Sequence, residues 1–454
     1  MKRFFYLIQF LLISGIAFAQ NKNYGYISKY KTITHELLSM EERAFKQTDI
    51  NYQKMYKLID SIIDYTTQKI QKIKLETSLK NKQRALKILH TIDQSLTEFD
   101  FITYYTIERL NQALIKVEIK KENINLFEQK DRRDGNQTIY FFDYYRHSDD
   151  DSGAICMTKN RREYFYNSES NKFYRSDCDL TAFIYLGIAQ VNNLPMYLVE
   201  VPKHNFIRYQ INENSFINWD NNSANTFSNE DFRNGLSPTV STQFNLEDEK
   251  KYGYLKNMTH KEVIGYHYEN VARYSIENNE YEKAIEQLKL AVKNRPYSKY
   301  ASEDLSSLYH SIGYKNIQER NYANSILNFQ EALKINDTMQ YANDNLGYAL
   351  IRMNRLDEGK KFIDISIKLG NNNPAYSSRN LGLYCFYKND FDCSKEHYLD
   401  AFNLAKKYVD FLDYHYAELL LKLGKLDKAI EHLKIAAEKG EFDAKEKLND
   451  LTKN

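Results

Sequence analysis

The sequence predicts a mainly α-helical protein with a central α+β domain, and three observations carry that expectation. Glycine (15) and proline (5) together make up about 4% of the 454 residues, against about 12% in average usage, so turns for a many-stranded architecture are few. From about residue 262 onward, columns of small residues recur in helix–turn–helix segments. Strand-like segments cluster between residues 196 and 220, directly after one apolar helix. The expected order is a leader (1–19), a helical N-terminal region (20–135), an α+β core (136–250) and a C-terminal α-solenoid of helix–turn–helix repeats (262–443).

Lys2 and Arg3 precede an apolar run from Phe4 to Phe18, and Ala17-Phe18-Ala19 supplies a small-residue exit. That pattern reads as a secretory signal peptide cut after Ala19. The run is shorter than the roughly 20 residues of a membrane span, and no Cys follows it to take a lipid. The sequence thus implies a chain exported to a periplasm or secreted, with no integral membrane span after cleavage. Such a compartment permits disulfides among Cys156, Cys178, Cys385 and Cys393. Sixty-three basic against 61 acidic residues give a net charge of +2, which argues against nucleic acid or an anionic membrane as the partner. G-x-G-x-x-G, G-x-x-x-x-G-K, H-E-x-x-H and C-x-x-C are all absent, so no cofactor and no metal are expected.

In the N-terminal region apolar residues fall at helical spacing. Met55, Leu58/Ile59 and Ile62/Ile63 form one stripe, and Leu86, Leu89, Ile92 and Leu96 form another. Three or four helices satisfy the pattern, and nothing in it points to chemistry.

The middle segment is more informative. Ser176 or Asp177 can cap a helix whose stripe is Leu180, Phe183/Ile184, Gly187/Ile188 and Val191, stopped by Asn192-Asn193. Met196 to Val201, His204 to Ile211 and Phe216 to Asp220 then read as strands. Cys178 falls at the helix N-terminus, where unpaired N–H groups and the dipole favour a thiolate. His204 opens one strand, and Asp220 closes the next behind the only Trp, Trp219. That tryptophan is expected to report on the pocket beside them.

Cys178, Leu194-Pro195, His204 and Trp219-Asp220, in that order, resemble the transglutaminase-like branch of the papain-like cysteine hydrolases. The resemblance implies a Cys178–His204–Asp220 triad acting on protein or peptide amides. Cys178 would be the nucleophile, His204 the base and then the acid, and Asp220 the group that orients the imidazole. Other readings stay open: a Cys156–Cys178 disulfide, a strand histidine with no catalytic task, or a catalytically inactive domain. Asp149-Asp150-Asp151-Ser152-Gly153 reads as a solvated turn, since its spacing does not fit a calcium loop.

In the C-terminal region one column reads Ala272, Gly313, Gly347, Gly382, Ala417 and another reads Ala284, Ser325, Gly359, Ser394, Ala429. Successive offsets of 41, 34, 35 and 35 residues are similar to those of the tetratricopeptide repeat, whose period is about 34. The resemblance implies five degenerate units with a concave face for a protein or peptide. Cys385 and Cys393 lie eight residues apart across one turn, as a disulfide or as two buried thiols. Two functions follow: an exported transglutaminase-like thiol enzyme, or an interaction scaffold whose repeats do the work. The oligomeric state is not legible.

Overall fold

The computed structural model describes residues 26–45, 52–99, 101–102, 126–130, 138–142, 174–175, 178–237, 240, 242–370 and 373–452. The expected leader, Cys156, the 149–153 turn and Ser176-Asp177 lie outside them. The chain divides into two compact units, residues 1–280 with 293–297 and residues 281–292 with 298–454.

In the first unit, α1 (Ile33–Ala44), α2 (Tyr52–Leu75) and α3 (Asn81–Glu98) are the N-terminal helices. The expected stripes are buried: Met55, Ile59, Ile62 and Ile63 on α2, and Leu89, Ile92 and Leu96 on α3. Short strands follow, β1 (Phe101–Ile102) through β4 (Tyr174–Arg175), with β2 (Leu126–Lys130) and β3 (Thr138–Phe142) pairing antiparallel. Then come α4 (Cys178–Val191), β5 (Met196–Val201), β6 (His204–Asn212), β7 (Ser215–Asp220) and β8 (Asn225–Thr226), close to the expected bounds. Asn193, in the left-handed region, turns the chain after α4. The four strands form one antiparallel sheet in chain order.

That sheet is buried on both faces. Leu198, Ile207, Ile217 and Trp219 join α4 and the N-terminal helices in one core. The helical region expected over 20–135 and the α+β domain expected over 136–250 therefore meet in a shared interior. Val199, Val201 and Phe206, on the opposite face, pack against Phe232 of α5 (Asn229–Arg233) and Tyr254, which follows α6 (Leu246–Tyr252). The unit also holds α7 (His260–Glu277), which opens on a capping box between Thr259 and Glu262.

The second unit begins at α8 (Tyr281–Asn294) and continues with antiparallel helix pairs. These are α9 (Lys299–Gln318) with α10 (Tyr322–Ile335), α11 (Gln340–Arg352) with α12 (Leu356–Lys368), α13 (Pro374–Tyr387) with α14 (Phe391–Leu404), and α15 (Leu412–Lys422) with α16 (Leu426–Glu438). A last helix, α17 (Phe442–Thr452), follows. The small-residue columns mark the crossings. A Cβ on Gly347 would stand 2.8 Å from the Gly359 carbonyl oxygen, one on Gly382 would meet the Tyr398 ring, and one on Gly313 the Phe329 ring. Ser394 donates its hydroxyl to the Gly382 carbonyl at 2.9 Å. The turns repeat as well: Arg320, Asn354, Asn389 and Gly424, each between the two helices of a pair, all have positive φ. Glycine and asparagine tolerate that conformation best. Helix α9 has 20 residues against 13 in α11, which absorbs the longer first offset.

Candidate functional site

Each residue of the expected triad sits at the end of an element: Cys178 begins α4, His204 begins β6 and Asp220 ends β7. His204 and Asp220 are brought together, with Nε2 3.4 Å from Oδ1 and both side chains buried. The ladder explains this contact. Ile207 pairs with Trp219, so residue 206 falls opposite 220 and residue 204 is its diagonal neighbour on the same face. Asp220 Oδ1 also accepts the Asn222 and Ser223 backbone N–H groups, at 3.0 and 3.4 Å, and Oδ2 accepts the Ser237 hydroxyl at 3.3 Å.

Cys178 is a thiol, half-buried, with Sγ 3.9 Å from Asp179 Oδ1. The start of its helix is held by the residues that follow the expected site positions. Asn205 donates its side-chain amide to Asp179, which also accepts the Tyr266 hydroxyl at 2.8 Å and the Asn270 amide at 3.0 Å. Asn221 donates its amide to the Cys178 carbonyl at 2.9 Å. Strand side chains alternate between faces, so a shift of one residue exchanges one face for the other. Asn205 and Asn221 lie on the face toward α4, whereas His204 and Asp220 share the face of Val201 and Phe206. The structure thus brings His204 and Asp220 together on one face of the sheet and anchors α4 from the other. Sequence reasoning missed Asn205, Asn221, Tyr266 and Asn270, and it marked Asp179 only as a charge flanking the thiol, not as the group that Asn205, Tyr266 and Asn270 hold. For Asp179, Asn205 and Asn221 the one signal was a polar side chain directly after each candidate, in Cys178-Asp179, His204-Asn205 and Asp220-Asn221; Tyr266 and Asn270 carried none.

Trp219 likewise faces the α4 side. Its Nε1 donates to the Tyr185 hydroxyl at 3.0 Å, and its ring meets His90 edge-on at 4.8 Å. Its emission therefore reports on the core among α3, α4 and the sheet, not on the His204–Asp220 face.

In the second unit the face between first helices is filled by the chain's own side chains. The Arg379 guanidinium lies over the rings of Tyr348, Tyr376 and Phe411 at 4.9, 5.1 and 6.0 Å. The Tyr348 hydroxyl accepts from Arg352 at 3.0 Å and lies 3.1 Å from His415 Nε2, while His415 Nδ1 lies 3.0 Å from Glu418. This chain of bonds is satisfied by the Nδ1–H tautomer of neutral His415. Burial does favour the neutral form, pushing the His415 pKa down to about 4 against the pull of Glu418. Arg320, in the α9–α10 turn, pairs with Glu446 at 3.0 Å and with Asp443, both on α17. The inner face, where a protein or peptide was expected, is thus largely occupied by the chain's own side chains along α11, α13 and α15. The second helices instead expose apolar residues: Leu327 on α10, Ile365 and Ile367 on α12, Leu399 and Leu404 on α14, and Ile435 on α16.

Glu441, just before α17, accepts the Tyr408 hydroxyl and the Phe411 N–H, both at 2.6 Å. Burial nevertheless pushes its carboxyl up to about 7. The Glu441 carboxyl of the folded chain then holds a proton from about pH 4.5 to about pH 7 that the unfolded chain has lost, so the contribution of Glu441 to stability falls as pH rises through that window. Glu441→Gln is expected to stabilise the second unit by on the order of 2 kcal/mol at pH 8, the gain shrinking to nothing near pH 4.5. Urea unfolding at both pH values checks this.

Among the described residues no helix is long and apolar enough to cross a membrane. No protein-family profile matches the chain, and no curated protein matches it. Among solved structures it is similar to a tetratricopeptide repeat protein from Parabacteroides merdae (17% identity, TM-score 0.31, 42% of this chain and 71% of that one). It is also similar to a thermophilic TPR protein from Thermus thermophilus (15%, TM-score 0.30, 42% and 100%). A third likeness is to MamA from Desulfovibrio magneticus (15%, TM-score 0.29, 38% and 93%). The repeat assignment rests on the helix-pair crossings and turns of the second unit, and these likenesses add no argument to it.

Proposed function

We propose that the chain is an exported scaffold whose C-terminal repeat array binds a protein or peptide. The observation that carries this reading is the run of exposed aliphatic residues on successive second helices. Ile365 and Ile435 each stand six residues after the crossing residue of their unit, Gly359 and Ala429, and so share one repeat position. Burying such side chains against a partner is favourable by about 25 cal/mol per Å² of apolar area. The test is affinity capture with the full mature chain from its source cells, beside an Ile365→Asp/Ile435→Asp variant of unchanged circular dichroism. Proteins enriched by the wild type and lost by the variant support the reading. An identical captured set from both proteins overturns it.

A second reading is a thiol acyl-transfer site of the transglutaminase-like kind, favoured by the 3.4 Å approach of His204 Nε2 to Asp220. In that reading Cys178 Sγ attacks an amide carbonyl and its proton passes through His204 to the leaving amine. Water or a lysine amine then resolves the thioester. With Nε2 directed at Asp220, the proton would move through Nδ1. The scaffold reading instead expects Cys178 to react with iodoacetamide on an ordinary thiol pH profile, unchanged in His204→Ala. Fast labelling below about pH 7 that disappears in His204→Ala would establish the thiol site.

A further inference from the structure

We propose that Cys385, Cys393 and His397 form a redox-gated binding site for a thiophilic metal ion such as Zn²⁺. Cys393 and His397 stand four residues apart on α14, hence on one helix face. Cys385 reaches them from α13. The two sulfurs and a His397 ring nitrogen all lie within 4.8 Å of one another. Around a zinc ion bound at about 2.3 Å to sulfur and about 2.0 Å to nitrogen, ligand atoms stand roughly 3.5–4 Å apart, so one ion can span this set. Two thiolates and an imidazole are soft donors that select zinc or cuprous ions over magnesium or calcium. Three protein ligands leave the fourth tetrahedral position to water or an incoming group.

The two cysteines are joined as a disulfide in this structure, so disulfide and metal site are alternative states of the same sulfurs. The exchange balances with a dithiol as reductant. The dithiol gives two electrons and two protons to the S–S bond and is itself oxidised to a disulfide. The two Cys thiols then lose their protons as the ion binds, with neutral His397 as third donor. Access and rigidity fit this exchange. Cys393 and His397 are partly exposed, while the Gly382–Tyr398 crossing and the Ser394 hydroxyl bond hold the two helices together without help from the sulfurs.

The test uses the full mature chain carrying Cys156→Ser and Cys178→Ser, so that only this pair can supply thiolates. Co²⁺ is the spectroscopic probe and Zn²⁺ the competitor. The reduced protein is expected to bind one equivalent of Co²⁺ with a thiolate-to-cobalt charge-transfer band, displaced by Zn²⁺, while the oxidised protein shows none. His397→Ala is expected to weaken binding about tenfold or more, and Cys393→Ser to abolish the band. His397 and Cys393 are both partly exposed, so these variants should keep the wild-type circular dichroism. No band in the reduced parent, a band that survives Cys393→Ser, or an affinity unchanged by His397→Ala would overturn the assignment.

Discussion

Replacing Arg295 with methionine is expected to cost about 3–5 kcal/mol of stability, the largest single effect in the first unit. Arg295 is fully buried, paired through Nη2 with Glu200 on β5 and 3.8 Å through Nη1 from Glu269 on α7. Its guanidinium also lies 5.2 Å from the Tyr266 ring centre. Burial pushes the Glu200 carboxyl above its usual range, and Arg295 is the main charge pulling it back. Removing the cation leaves Glu200 without its main counter-charge in a dry interior, while Glu269 keeps its 2.9 Å pair with Arg273, and removing both members of the Arg295–Glu200 pair leaves less uncompensated charge. Arg295→Met/Glu200→Met is therefore expected to recover a substantial part of the loss in urea unfolding. A single variant within about 1 kcal/mol of wild type would contradict this account, since truncating one partner of a buried pair costs more than that. The network also has a local readout. Glu200 pairs with Asn205 across the β5–β6 ladder, and Asn205 holds Asp179 at the start of α4. Arg295→Met should consequently speed Cys178 alkylation by loosening that anchor.

In the second unit the largest effect is expected at Gly347. A Cβ there would stand 2.8 Å from the backbone oxygen of Gly359 and 2.6 Å from Ile363 Cγ1. Backbone cannot rotate away, so α11 and α12 must separate. Gly347→Ala is expected to destabilise by about 2–3 kcal/mol, because the overpacking exceeds the roughly 1 kcal/mol alanine gains in helix propensity. Gly382→Ala presses only on the Tyr398 side chain, and its expected cost is about 1 kcal/mol or less after the same propensity gain. Thermal unfolding of the two variants should rank them in that order. Equal midpoints would show that backbone contact does not set the helix spacing.

The repeats were legible because one steric demand, close crossing of two helices, recurs at fixed sequence intervals and leaves small residues behind. The strands were legible because each is bounded by a turn signal, Asn192-Asn193 before β5 and Pro202-Lys203 between β5 and β6. Pairings between residues far apart in sequence left no such trace. Arg295 meets Glu200 across 95 positions, and nothing periodic marks either one. The filling of the inner face depends on how tightly successive units wind, as where the Tyr348 hydroxyl meets His415. At the candidate site the sequence named His204 and Asp220, which the sheet brings to 3.4 Å, but not the neighbours that hold the start of α4. Sequence order selected Cys178, His204 and Asp220, but strand alternation assigns the contacts with α4 to Asn205 and Asn221.

The measurement that bears most directly on the scaffold reading is amide hydrogen exchange of the full mature chain with and without the partner it captures. Slowed exchange along α10, α12, α14 and α16, with residues 178–220 unchanged, is the result this account predicts. Protection confined to the start of α4 and the β6–β7 ends, with the second unit unaffected, would contradict it and place the working surface at the thiol site.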